Sequence, residues 1–131
     1  MRDDTSMKTS FLNGSTARSV VAALSLAIAQ LANAHAYPKR QVPPPGASMS
    51  VSPRDVWIDF DDGLEAAFSA ITVTDAQRRS VTLGKAVVDS SNPKHMSVML
   101  NPLPPGVYTV TWVAVAADGH RTEAEYTFTV K

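Results

Sequence analysis

The chain has 131 residues, no cysteine and a formal net charge of zero at pH 7. Without cysteine there is no disulfide framework, no zinc–thiolate cluster, no thiol nucleophile and no lipid-anchor cysteine, and a blue-copper centre, which needs a thiolate, is excluded as well. Nothing resembles a basic patch, which argues against nucleic-acid binding.

In chain order, the first element is a secretory signal over residues 1–34. Arg2, Lys8 and Arg18 make a positive start, diluted by Asp3 and Asp4, and an apolar run follows over residues 20–31. A run of about a dozen residues falls short of the roughly 20 that a membrane span needs. Ala32-Asn33-Ala34 then provides the small-residue site at which signal peptidase cuts. The true start is Met1 or Met7, and the alternative reading is an uncleaved N-terminal anchor. Cleavage after Ala34 leaves residues 35–131 as one small domain with no stable membrane insertion. Residues 1–34 carry three of the 12 basic and two of the 12 acidic side chains, so the mature part has a net charge of −1. It keeps all three histidines, His35, His95 and His120.

The mature part alternates with period 2. Val56, Ile58 and Phe60 share one face of the first run, with Trp57 on the polar face. Residues 69–74 repeat the pattern, and two short candidates, residues 81–83 and 86–88, flank Gly84. Met96, Val98 and Leu100 share a face, with His95 on the opposite one as a surface histidine. Tyr108, Val110, Trp112 and Ala114 line the longest run, residues 107–116. Tyr126, Phe128 and Val130 alternate at the end. Turn signals at Pro43-Pro44-Pro45-Gly46, Asp61-Asp62-Gly63, Asn92-Pro93, Pro104-Pro105-Gly106 and Asp118-Gly119 punctuate these runs. Leu64-Glu65-Ala66-Ala67-Phe68 has room for one helical turn. Asp59, Asp61, Asp62 and Glu65 read as a solvated acidic loop. The expectation is an all-β fold, a small Greek-key β-sandwich or barrel of immunoglobulin-like type, with about seven strands. In such folds a tyrosine can open a long strand at a corner, and the stretch from Leu103 to Tyr108 fits one.

Two places carry candidate chemistry. After cleavage, His35 becomes the first residue, and its α-amine and imidazole can chelate one metal ion together. The α-amine has a reference pKa of about 7.7–8, so a metal can displace its proton near neutrality. Near the other end, Asp118-Gly119-His120 spaces a carboxylate and an imidazole two residues apart, on the same side of an extended segment. Together these would offer three nitrogens and one oxygen, a set that favours Cu(II). Asp-Gly is also a common hairpin-turn pair, and spacing alone leaves that reading open. No Met-x-x-Met cluster suited to Cu(I) is present, with Met49, Met96 and Met99 scattered.

His35-Ala36, Pro45-Gly46-Ala47, residues 56–60, residues 68–73, the run from Leu103 to Trp112, Asp118-Gly119-His120 and Phe128-Thr129-Val130 together resemble the CopC family of periplasmic copper resistance proteins. The resemblance spans residues 35–131. It implies a periplasmic, non-enzymatic carrier that binds one Cu(II) through His35, Asp118 and His120. It also implies a membrane partner resembling the CopD copper-import protein. Some members add a Cu(I) site on a methionine-rich loop, whereas Asp75-Ala76-Gln77-Arg78-Arg79-Ser80 has no methionine, so only the Cu(II) site is expected. Members commonly have proline after the second histidine, where this chain has Arg121 and then Thr122. The alternatives are an immunoglobulin-like interaction module without metal and a copper-brace oxidative enzyme.

Overall fold

The structure, a computed structural model, describes residues 35–131; the expected signal peptide and its cleavage site lie outside the described residues. Eight strands follow in order: β1 (Pro38–Val42), β2 (Ser48–Met49), β3 (Asp55–Phe60), β4 (Ala70–Thr74), β5 (Thr82–Asp89), β6 (Asn92–Leu100), β7 (Gly106–Val115) and β8 (Arg121–Val130). They form two four-stranded sheets of order β1-β3-β6-β5 and β2-β8-β7-β4. All ladders are antiparallel except β2 with β8. A single 3-10 turn at Ala66–Phe68 sits where room for one turn was read.

The period-2 alternation is the inside–outside alternation of these sheets. Val56, Ile58 and Phe60 of β3 and Met96, Val98 and Leu100 of β6 point inward from one sheet. Ile71 and Val73 of β4, Tyr108, Val110, Trp112 and Ala114 of β7, and Phe128 and Val130 of β8 meet them from the other. Phe60 and Trp112 join the sheets edge to face, ring centroids 5.3 Å apart, a favoured aromatic geometry. The residues flanking Gly84 belong to one strand, β5, bent where its register with β6 shifts between Leu83 and Val87. Gly84 takes the bend at φ +81°. Two elements, β1 and β2, escaped the sequence reading: β1 contains Lys39-Arg40-Gln41 rather than an alternating apolar run, and β2 has only two residues. The Asn92-Pro93 pair opens β6 instead of making the preceding turn, because Asp89 already pairs with Asn92.

The expected tyrosine corner is present. The Tyr108 hydroxyl donates to the Pro104 carbonyl across 2.5 Å, and its ring stacks on Phe128 at 5.6 Å. Tyr126 differs: its buried hydroxyl has no partner among the described residues. Burial pushes its pKa up to about 12. Between pH 10 and 12 the unfolded chain ionises this tyrosine while the native one stays neutral, so its contribution to stability falls as pH rises.

These two hydroxyls predict opposite outcomes. Tyr108→Phe strands the Pro104 carbonyl and lowers unfolding free energy by about 1–2 kcal/mol in urea titrations of residues 35–131. Tyr126→Phe removes an unpaired polar atom and changes it by less than about 0.5 kcal/mol. Equal losses would contradict the hydrogen-bond assignment.

Candidate functional site

The first three described residues lead into β1. Ala36 is fully buried, and its carbonyl accepts the Thr122 hydroxyl of β8 at 2.6 Å. Tyr37 donates its N–H to Asp61 Oδ1 at 2.7 Å, and its carbonyl accepts the Asp61 N–H at 3.0 Å. His35 is thereby carried to the end of the sandwich where β7 turns into β8.

That turn is a hydrogen-bonded hairpin. Ala116 N–H donates to the His120 carbonyl and Gly119 N–H to the Ala116 carbonyl, both at 2.9 Å. Gly119 adopts φ +89°, a conformation an L side chain resists. Asp118 Oδ1 accepts the His120 N–H at 3.0 Å, and its Oδ2 lies 2.5 Å from His120 Nδ1. The backbone N–H of His120, then its ring, and the nearby His35 hold the Asp118 carboxyl below the usual carboxylate range. The group thus stays anionic well into the acid range. The contact with Asp118 orients the His120 ring through Nδ1.

The two places meet. The His35 and His120 ring centroids are 4.6 Å apart, and Tyr37 flanks His35 at 5.7 Å. Among the described residues, no three His, Asp or Glu side chains already form a metal cage. The donor atom needed to complete a set at His35 is its α-nitrogen, which in the 131-residue chain is a peptide nitrogen bonded to Ala34.

His95 has other partners. It faces outward from the β1-β3-β6-β5 sheet, as read, but it is half-buried and engaged. Its Nδ1 is 2.6 Å from Asp59 Oδ1, its ring is 5.4 Å from Trp57, and Arg40 lies 5.2 Å over the Trp57 ring. The solvated-loop reading holds for Asp61, an exposed residue just past β3, and is corrected for Asp59. Asp59 is a strand residue opposite His95 in the β3–β6 register, and Asp61 receives the N-terminal segment. Asp61 and Thr122 are the residues that sequence reasoning missed. Only the departure after His120 drew attention to Thr122, and nothing local marked Asp61.

A family model described as the CopC domain matches residues 39–131. The chain belongs to the CopC family. Protein YobA of Escherichia coli strain K12 is 34% identical over 122 residues, covering 89% of this chain and 98% of that protein. Among solved structures, CopC from Methylosinus trichosporium OB3b matches with a TM-score of 0.69 and 28% identity, over 74% of this chain and 94% of that one. PcoC, a methionine-rich copper resistance protein from Escherichia coli, matches with a TM-score of 0.62 and 33% identity, over 75% and 100%. In this CopC-family chain, by contrast, Met96 is buried in the core and the loop from Asp75 to Ser80 has no methionine. Asp75 instead holds that loop in a tight turn by accepting the N–H groups of Gln77 and Arg79.

Gly119→Ala tests the hairpin. An added Cβ would meet nothing within 4 Å, so any cost is conformational. A loss of about 1–2 kcal/mol in urea unfolding is expected from holding alanine at positive φ; an unchanged midpoint would show that the turn does not require this conformation.

Proposed function

We propose that this protein is a periplasmic Cu(II) carrier that holds one ion per mature chain and passes it on without turnover. The observation that carries this reading is the approach of the His35 and His120 rings to 4.6 Å, beside the Asp118 carboxylate. His35 would supply its α-amine and its imidazole, closing one chelate ring. His120 would supply a second imidazole and Asp118 an oxygen. Both Asp118 oxygens already accept from His120, but an ionised carboxylate offers about four lone-pair sites, so room for a metal remains. A tetragonal set of nitrogens and oxygen suits Cu(II), which also heads the divalent affinity order. The copper resistance function of PcoC points to the same metal. Thioether ligands for Cu(I) are not clustered among the described residues: Met96 is in the core, Met99 on the outer face beside Leu83, and Met49 in β2.

Cleavage after Ala34 is the step that frees the α-amine, so export and assembly of the site are coupled in this reading. Among the described residues, no helix is long and apolar enough to cross a membrane. The family resemblance adds a membrane protein resembling CopD as the exchange partner.

Blocking the α-amine tests the carrier reading. A protein with one extra residue before His35 should lose Cu(II) affinity by at least about a hundredfold, beyond what loss of an outer-sphere partner costs. His120→Ala should lose a comparable amount by competition titration. Unchanged binding in the extended protein would sink the proposed site and favour the interaction-module reading.

A further inference from the structure

We propose that Thr122 and Asp61 are positioning residues for copper capture, pinning the mature N-terminus so that the α-amine and imidazole of His35 are presented to His120. This rests on the Cu(II) reading above and deepens it.

Chain termini are ordinarily among the least ordered parts of a domain unless tied down. A chelator made from the first residue needs such a tie. Here the two residues after His35 are held from opposite sheets. The Ala36 side chain is fully buried and its carbonyl accepts the Thr122 hydroxyl at 2.6 Å. The same hydroxyl lies only 3.4 Å from the Ala114 carbonyl, its cross-strand partner in the β7–β8 register, so Thr122 sits across the hairpin that carries His120. Tyr37 is gripped from the other sheet, giving its N–H to Asp61 Oδ1 and receiving the Asp61 N–H on its carbonyl. Thr122 stands two residues after His120. The clamp on the terminus and the second imidazole are thus mounted on one short piece of backbone, which fixes their separation. Where the family resemblance leads one to expect proline after the histidine, this chain continues directly into β8 with Arg121 and Thr122.

The fixed terminus removes conformational freedom before metal arrives. Without the clamp, copper binding must order residues 35–37 itself and loses affinity by that amount.

The test uses residues 35–131 and Cu(II) itself, with two readouts: competition titration, and amide hydrogen exchange at Tyr37 in the metal-free protein. Thr122→Val keeps the β-branched shape and removes the hydroxyl. It should weaken Cu(II) binding by about tenfold, the value of one net hydrogen bond, and should speed Tyr37 exchange. Asp61→Ala should do the same. Thr122→Ser should restore both readouts, which a loss caused by altered packing would not do. In a chain with one residue added before His35, Thr122→Val should change Cu(II) binding no further. If both single variants bind Cu(II) as tightly as the parent while the extended chain has lost its affinity, the positioning role is overturned and the site survives. If the extended chain binds like the parent, the copper site fails and the positioning role falls with it.

Discussion

The structure at its functional end depends on one constraint: residues 36 and 37 are tied to both sheets at once. The Ala36 carbonyl is bonded to Thr122 of one sheet, and the Tyr37 backbone is bonded to Asp61 at the end of β3 in the other. A buried alanine with a pinned carbonyl cannot swing, so His35 has little choice of position. At this end Ala36 and the hairpin residue Ala116 are both fully buried. Core packing and site geometry therefore meet in a single short segment.

The hairpin settles a choice that spacing left open. Asp118-Gly119 does make the turn, with Gly119 at positive φ. The same turn aims His120, because the Asp118 carboxylate accepts both the backbone N–H and the ring contact of that histidine. Turn former and candidate ligand pair are one object. The carboxyl is held below its usual range because the His120 backbone N–H, which helps shape the turn, and the His120 ring stabilise its charge. An anionic, oriented Asp–His pair beside a second imidazole is a sensible place for a cation. On the proposed reading, its remaining nitrogen donor would come from proteolysis rather than from folding.

Much of the fold was legible because burial imposes a two-residue period on any strand with one face in the core. The inward sets of β3, β6 and β7 were read residue by residue. The tyrosine corner was read from its proline-rich approach. What escaped reading has a common cause: it depends on partners distant in the chain. β1 is polar in two successive positions and exists because β3 pairs with it. β8 begins at Arg121, five residues before its apolar alternation starts, because β7 carries it. Asp59 lay within the alternating run, but its engagement went unread because its partner, His95, lies 36 positions away. Among the site residues, His35, Asp118 and His120 could be named from chemistry alone. Their meeting could not, since it rests on Thr122 reaching Ala36 across 86 positions of sequence.

The number and origin of nitrogens bound to copper bear most directly on this picture of the site. Electron paramagnetic resonance of Cu(II)-loaded residues 35–131, prepared with nitrogen-15 only in histidine, reads both. If His35 and His120 hold the ion, three nitrogens couple to it, all of them from histidine, and every coupling changes to the nitrogen-15 pattern. A spectrum that keeps nitrogen-14 couplings from other residues, or that shows only one coupled nitrogen, would contradict the site.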